Sequence, residues 1–375
     1  MIPLISPTIT FKDILSSYAN KNSTNDKEKI FAAFFNKKYC YFLPEGRDAI
    51  FLSLKNIGLK KTDEIIAPSY ICDIVPKVAS LFCKVVYADV SKKTLVMDYD
   101  EIKKKITNDT RAVIVAHLYG NVSNLKKIRN LCSSKNIILI EDCAQSICSF
   151  EKGIRAGSLG DYSIFSFRFS KDINLLKGGA LVTDKEINIA AKQSSPLKSF
   201  ISILMVYTIL KAQKIFYGRF YYYFKTKILI PFFTKTHFIE NKEIKSLSSF
   251  EKELIIRTMN NMPLIVKKRD RNAKSYVRHL NKLYKAKKIA LCSYSSSSLL
   301  RFNILAHNQK ELIKFLLKNG IEAEDTLQYS LGEGCKNSEE IVKQVVNLPV
   351  HHNVKEKDIQ KICYFINEFF KANNK

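Results

Sequence analysis

The sequence lacks the features that usually mark membrane-spanning, secreted and metal-binding proteins. No stretch reaches the roughly 18 uninterrupted apolar residues of a transmembrane helix. The N-terminus has no basic segment followed by an apolar one and a small-residue cleavage site, so no secretory signal is expected. The nine cysteines are odd in number, scattered and without a Cys-x-x-Cys pair, unlike a disulfide framework or a zinc site. We therefore expect buried, reduced thiols in a cytoplasmic protein that binds no metal.

Acidic residues are scarce relative to basic ones. The chain has 35 Asp and Glu against 61 Lys and Arg, a formal net charge of +26. Such an excess attracts polyanions, including nucleic acid, anionic lipid and phosphorylated substrates. A nucleic-acid-binding regulator is therefore one alternative from a different class of protein. No helix-turn-helix or zinc-finger pattern accompanies the charge, so nucleic acid is not expected as a partner.

What is present is an alternation of two periodicities, which predicts a mostly parallel central sheet covered by helices. Continuous apolar runs predict buried strands at 64–67, 84–88, 112–116 and 137–140. Amphipathic spacing predicts helices at 48–56, 69–82, 98–106 and 124–134. Later segments predict helices at 250–283, 309–318 and 355–371 and a strand at 300–305. Because 375 residues exceed one compact core, we expect a large domain, 1–245, and a smaller α+β domain, 246–375.

Two segments carry candidate catalytic chemistry. Asp142 follows the apolar run 137–140, and ligands often bind at the carboxyl ends of parallel strands, although such an Asp also commonly caps a helix. Lys171 follows a second apolar run and precedes Gly178 and Gly179, where partial desolvation would make its amine nucleophilic; the alternative is a solvated surface lysine. Pyridoxal-phosphate (PLP) enzymes need these two groups in this order, an Asp beside the pyridine nitrogen and a Lys for the Schiff base. Upstream, Gly46 opens a helix and could cradle a phosphate.

Several motifs in order along nearly the whole chain resemble the DegT-type sugar aminotransferases, a PLP family of the aspartate aminotransferase fold (fold type I). The motifs are Gly46-Arg47-Asp48-Ala49-Ile50, residues 63–70, Ala116-His117-Leu118-Tyr119-Gly120, Glu141-Asp142-Cys143-Ala144-Gln145, Ser166-Phe167 followed by Lys171, and residues 319–323 and 348–352. The resemblance implies the cofactor pyridoxal 5'-phosphate and a homodimer. It implies transfer of an amino group, from glutamate, to a nucleotide- or lipid-linked keto-sugar in surface polysaccharide or glycan biosynthesis.

The resemblance also implies roles for single residues. Lys171 and Asp142 are the expected catalytic residues, Lys171 forming the Schiff base and Asp142 pairing with the pyridine nitrogen. The remaining expected cofactor contacts are Gln145 at the 3'-oxygen, Ser166 at the phosphate, and the backbone N–H groups of Gly46, Arg47 and Asp48. His117 is expected to pack near the site. Relatives that act as PLP-dependent sugar dehydratases carry His in place of the Schiff-base lysine, so Lys171 argues against that alternative.

The chain departs from the family at two places. Where the family has an aromatic residue stacked on the pyridine ring, this chain offers either Tyr70 or Cys72, whose sulfur is polarisable. The family's Asn-x-Arg-Met segment, which reaches the neighbouring subunit's active site, has no clear counterpart. Asn241 lies at a suitable distance along the chain, but its neighbours Glu240 and Lys242 do not fit.

In place of that segment stands an aromatic and basic stretch, 196–238. It has seven Lys or Arg and no acidic residue, with apolar and aromatic side chains between them. Such interleaving suits docking on the anionic inner face of a membrane, with rings at headgroup depth. Two alternatives remain: a buried dimer insertion whose lysines reach outward, and a membrane-docked scaffold without activity. Retention of both Asp142 and Lys171 speaks against the inactive scaffold.

Overall fold

A computed structural model describes residues 1–189, 192–212, 245–292 and 298–373. The helices are α1 (Phe11–Ala19), α2 (Lys27–Ala33), α3 (Gly46–Ile57), α4 (Ile74–Ala79), α5 (Tyr99–Lys105), α6 (Leu125–Ser134), α7 (Pro196–Ala212), α8 (Ser249–Lys285), α9 (Gln309–Lys318), α10 (Lys336–Gln344) and α11 (Glu356–Ala372). The longer strands are β1 (Tyr39–Leu43), β2 (Glu64–Pro68), β3 (Lys84–Ala88), β4 (Thr110–Ala116), β5 (Ile138–Asp142), β8 (Tyr162–Ser166), β9 (Gly179–Thr183), β13 (Phe302–Leu305) and β14 (Val345–Leu348). Two-residue strands are β6 (Phe150–Glu151), β7 (Ile154–Arg155), β10 (Lys192–Gln193), β11 (Lys245–Ser246) and β12 (Ala290–Leu291).

The central sheet has seven strands in the order β1-β9-β8-β5-β4-β2-β3. Neighbouring strands run parallel except for β9, which is antiparallel to both β1 and β8. The four predicted strands of this sheet are confirmed to within two residues at each end. Most of their side chains are buried, as expected for a sheet that is covered on both faces. Asp142 pairs with Ala116 on one side and Ile164 on the other, so its side chain stands at the carboxyl edge of the parallel strands.

One predicted helix is wrong in its extent. The amphipathic pattern of 69–82 predicts one long helix, whereas α4 covers only Ile74–Ala79. The Ser69 N–H donates to Ala88 O at 2.9 Å, and the Leu331 N–H donates to Ser69 O at 2.8 Å. These two long-range hydrogen bonds hold Ser69 against β3 and against the C-terminal part of the chain. Because the Ser69 backbone is engaged in this way, the helix cannot begin at residue 69. As a result, Tyr70 and Cys72 lie in a loop.

Helix α8 contributes to two hydrophobic cores. Near its start, Phe250 and Leu254 pack in the core beneath the sheet. Near its end, Tyr276 and Leu280 pack in a second core around the three-stranded sheet β12-β13-β14. The N-terminus joins this second core, because Ile2 pairs with Ile321. The predicted division into 1–245 and 246–375 stays a prediction.

Helix α7 begins the predicted aromatic and basic stretch. Its outward row consists of apolar side chains, Leu197, Ile201 and Met205, each about half exposed. Within the described residues, no helix is long and apolar enough to cross a bilayer. The rest of the stretch, 213–238, and Asn241 with its neighbours lie outside the described residues.

Candidate active site

The structure brings Asp142 and Lys171 together at the carboxyl edge of the sheet. Burial raises the pKa of Asp142, and the Ala144 N–H and the nearby charge of Lys171 oppose that rise. The Asp142 Oδ1 accepts the Ala144 N–H at 3.0 Å. Its Oδ2 has no hydrogen-bond donor among the described residues, although the side chain is largely buried. This oxygen is therefore open to a donor that enters the site.

Lys171 sits in the turn that follows β8. Its N–H donates to Arg168 O at 2.9 Å, and the Asn174 side-chain amide donates to Lys171 O at 2.8 Å. Asn174 Oδ1 in turn accepts the Thr8 N–H at 2.7 Å, which ties the turn to the N-terminal segment. Burial lowers the pKa of the Lys171 ammonium, and nearby Asp142 works in the opposite direction. Among the described residues, this ammonium has no hydrogen bond or ion pair.

The residue after the lysine anchors the turn to helix α8. Asp172 forms a buried ion pair with Arg269, and the Arg269 guanidinium also donates to Ser298 Oγ at 3.0 Å. Asp172 and Arg269 are each about 3% exposed, so the pair is fully withdrawn from water. Sequence reasoning missed it because Arg269 is 97 residues away along the chain.

The predicted phosphate turn lies beside β8. Glu45 caps α3 with an extended backbone, and the Asp48 side chain accepts the Glu45 N–H at 3.1 Å. A Cβ placed on Gly46 would come within 3.2 Å of Ser166 Cβ, so glycine lets the first turn of α3 approach Ser166 closely. Arg47 pairs with Glu45. Ser166 and the backbone N–H groups at the start of α3 thus form one concave polar surface.

Arg168 is a site residue that sequence reasoning missed. It is half-buried, and burial lowers the pKa of its guanidinium, with Glu45 opposing and Arg47 adding to the shift. Its charge therefore stands beside the same helix terminus as Ser166. It has no hydrogen bond or ion pair to any described residue. A partly buried guanidinium without a protein partner can donate hydrogen bonds to an anion that binds beside it.

Gln145, Tyr70 and Cys72 occupy different positions. Gln145 Oε1 accepts the Tyr119 N–H at 3.0 Å, so its amide nitrogen points away from Tyr119. Tyr70 is fully buried, and its hydroxyl pairs with that of Tyr119 at 2.9 Å. Cys72 is exposed and close enough to influence the pKa of Lys171. Of the two predicted ring contacts, the structure therefore leaves Cys72 accessible and places Tyr70 in the core.

Behind Asp142, His117 and Glu141 form a buried support. The Glu141 carboxylate accepts from His117 Nε2 at 3.0 Å and from the Gly157 N–H at 2.7 Å. Burial opposes ionisation of Glu141, but the hydrogen bonds from His117, Gly157 and Gly160 outweigh it, so its pKa is lowered. His117 Nδ1 accepts the Ser123 N–H, which leaves the proton on Nε2. Cys143 lies within 4.8 Å of both, but Glu141 is already occupied by these donors. The eight other cysteines are free as well, and all but Cys72 are buried.

Comparison with known proteins fits this geometry. The model of the DegT/DnrJ/EryC1/StrS aminotransferase family matches residues 10–199 and 246–367. The chain belongs to that family. The resemblance carried by the motifs is thus confirmed, and the family's match omits 200–245, which includes most of the aromatic and basic stretch.

Individual relatives place the chain within the family. A GDP-perosamine synthase of Escherichia coli O157:H7 is 33% identical over 196 residues, 49% of this chain and 53% of that protein. The chain spans about half the length of the curated relatives it matches. The solved aminotransferase TlmJ from Streptoalloteichus hindustanus has TM-score 0.76 at 18% identity, with all of both chains covered. An E. coli GDP-4-keto-6-deoxy-D-mannose-3-dehydratase with bound hydrated PLP has TM-score 0.74 at 20% identity, covering 97% and 99%. The predicted fold, PLP-dependent transferase fold type I, is confirmed.

Proposed function

We propose that the protein is a PLP-dependent aminotransferase that transfers an amino group, from glutamate, to a keto-sugar. One observation carries the proposal: a half-buried lysine ammonium without a partner stands near a buried carboxylate with one open oxygen. These are Lys171 and Asp142, at the carboxyl edge of the sheet. A structural lysine or aspartate in such a place would be paired with a neighbour. Here the two groups are close enough for each to influence the pKa of the other.

The residues around these two groups fit the cofactor. The close approach of Gly46 to Ser166 makes a cradle that a Cβ would fill. The N–H groups of the first turn of α3 suit a phosphate. The Ser166 hydroxyl and the Arg168 guanidinium have no partner among the described residues, so both could bind the same anion. We assign the phosphate to these groups, together with the backbone N–H groups of Gly46 and Arg47. The Asp48 N–H, a third expected contact, already donates to Glu45 O at 3.1 Å.

The other contacts follow from the same geometry. The Asp142 Oδ2 would hold a proton on the pyridine nitrogen, and the Gln145 amide nitrogen would donate to the ring oxygen. Cys72, which is exposed near Lys171, would pack on the ring. Bound there, PLP supplies an aldehyde for amines and a ring that withdraws electrons. Lys171, whose pKa is lowered by burial, would be available as a free amine to hold the cofactor aldehyde and to move a proton at the substrate carbon.

The substrate class rests on the relatives. Those matched at about one third identity include GDP-perosamine synthases and dTDP-sugar transaminases. A keto-sugar carried on a nucleotide or a lipid, in surface polysaccharide or glycan biosynthesis, is therefore proposed for this chain. The second candidate is a sugar dehydratase, because a GDP-4-keto-6-deoxy-D-mannose 3-dehydratase is also among them. Lys171 favours aminotransfer over dehydration.

Two measurements test the proposal. Borohydride reduction of the yellow protein should attach the cofactor covalently to Lys171, as seen by peptide mapping, and Lys171→Ala should abolish this labelling while Lys135→Ala, on the exposed surface, should not. Incubation with glutamate and a panel of keto-sugar nucleotides should yield amino-sugars by mass spectrometry. Labelling of a different lysine would refute the site. A deoxy product without nitrogen would identify a dehydratase.

We also propose a homodimer in the cytoplasm whose α7 face docks on the inner membrane surface. The outward row of α7 is apolar, and Phe11 and Leu15 of α1 extend it, since α1 and α7 pack together. Lys211, exposed at the C-terminal end of α7, would meet anionic headgroups. Five apolar side chains of such a row inserted at the interface suffice only for weak, reversible attachment, which fits a peripheral enzyme.

Flotation with liposomes tests this surface. The protein should float with anionic liposomes at low salt, less at high salt, because apolar insertion and headgroup attraction act together. The double variant Ile201→Ser/Met205→Ser should float much less, whereas Leu264→Ser, an exposed leucine on α8, should float like the parent. Two results together would instead assign α7 to the dimer interface. The parent protein would stay in solution, and light scattering would show a dimer for the parent but not for the double variant.

A further inference from the structure

A cavity of about 320 Å³ lies between α7 and the β10–β11 pair. Four lysines line it, and we refer to it as the lysine pocket: Lys177, Lys192, Lys198 and Lys245. None of the four makes an ion pair with a described residue. The volume lies at the lower end of the range for small-ligand pockets, so a compact charged group would fit.

The strand register sets two of these lysines side by side. Lys192 and Lys245 are direct partners in the parallel register of β10 and β11. Like charges directly opposite each other destabilise a strand pair. The pair is only two residues long, so few backbone bonds offset that repulsion. An anion between the two ammonium groups would turn this repulsion into attraction.

The other walls reinforce the positive potential. Helix α7 has 17 residues, and Lys198 and Ser199 of its first turn line the pocket, so the positive end of the helix dipole favours an anion there. The carboxylate of Glu251 also lines the pocket, where it accepts from Ser199 Oγ at 2.9 Å and from the Ser248 N–H at 2.8 Å. Its one negative charge offsets only one of the four lysine charges. The pocket is therefore a site of concentrated positive charge.

We infer that the lysine pocket binds a diphosphate group. Four ammonium groups around one cavity match the several negative charges of a diphosphate better than the single charge of a carboxylate. The pocket is also close to the chemistry in the chain, since Lys177 belongs to the loop that returns from Lys171 to β9. The assignment of this diphosphate to the carrier of the sugar rests on the proposed function; the binding of a diphosphate does not.

Titration calorimetry of the holoenzyme with inorganic pyrophosphate tests the site directly. The double variant Lys192→Gln/Lys245→Gln should weaken binding about tenfold, because two partly solvated ion pairs to the ligand are lost. The matched control Lys103→Gln/Lys126→Gln removes the same charge from exposed positions on α5 and α6 and should leave the affinity within about twofold of the parent. Lys192→Arg/Lys245→Arg, which keeps both charges, should retain binding.

Competition experiments distinguish a nucleotide carrier from a lipid carrier as the origin of the diphosphate. GDP that competes with pyrophosphate while farnesyl diphosphate does not would indicate a nucleotide carrier, and the reverse would indicate a lipid carrier; either result supports the site. Equal weakening by the pocket and control variants would overturn it, as would binding to phosphatidylglycerol vesicles but not to pyrophosphate. Cofactor labelling of Lys171 is measured separately, so loss of the pocket and failure of the proposed function give different results.

Discussion

Arg168 provides the sharpest test of the cofactor site, because its expected contact is with one part of the cofactor only. Its guanidinium lies near the start of α3 and has no partner among the described residues. If it binds the phosphate, Arg168→Met removes a charge-assisted hydrogen bond worth roughly 1.5–3 kcal/mol. The dissociation constant of PLP should then rise by roughly 10- to 150-fold, since 1.4 kcal/mol is a factor of ten.

The assay compares two ligands. Apo-protein is titrated calorimetrically with PLP and with pyridoxal, which lacks the phosphate. Arg168→Met should weaken the binding of PLP but leave the dissociation constant of pyridoxal within about twofold of the parent value, because the ring contacts at Asp142 and Gln145 are unchanged. Arg168→Lys should fall between, since an ammonium keeps the charge and loses the planar fork. Arg111→Met, on the exposed surface of β4, is the matched control and should affect neither ligand.

Two results would refute the reasoning. Equal weakening of PLP and pyridoxal would mean that Arg168 supports the shape of the turn rather than the phosphate. Unchanged affinity for PLP would place the phosphate elsewhere. Circular dichroism of each variant separates either result from a loss of folding.

Three further predictions concern other residues. Asp142→Asn should keep PLP bound but slow turnover by roughly 10- to 150-fold, because one charge-assisted hydrogen bond at the pyridine nitrogen is lost. A kcat close to that of the parent would contradict this role. Iodoacetamide should label exposed Cys72 before the buried cysteines, and bound PLP should slow this labelling; mass spectrometry that shows an unchanged rate would remove Cys72 from the ring. Burial lowers the pKa of His351 to about 3, so between pH 6.5 and 3 the unfolded chain binds one more proton and stability falls as pH falls, by about 1.4 kcal/mol per pH unit. Urea melts should show a shallower pH dependence for His351→Gln, but not for His307→Gln at an exposed position.

The positions of Asp142 and Lys171 could be predicted from the sequence, because each follows directly from an apolar strand pattern next to it in the chain. An apolar strand that runs into Asp142 places that carboxylate at the sheet edge whatever the rest of the chain does. The second apolar run places Lys171 in the turn beyond β8 in the same way. The motif order then adds Gly46, Ser166 and Gln145. These are the parts of the site that can be read without the fold.

The remaining parts depend on contacts between distant residues. Arg168 lies between two phenylalanines, and no periodicity shows which way it points; the turn held by Asn174 and Thr8 decides that. Tyr70 looks like a ring contact in sequence, but its loop is tied to Ala88 and Leu331, and this turns the ring into the core. The local sequence around Tyr70 predicts neither these long-range hydrogen bonds nor the orientation of the ring that results from them.

Helix α8 has a consequence for how the molecule melts. A single rod of 37 residues supplies side chains to both hydrophobic cores, and Arg269 near its middle anchors the turn of Lys171. If either core loses its packing, helix α8 is destabilised and the other core loses the side chains that this helix supplies. The two cores should therefore unfold together. Scanning calorimetry should show one transition rather than two. The same coupling means that a ligand held at the turn of Lys171 should raise the melting temperature of the whole chain, including the distant C-terminal core.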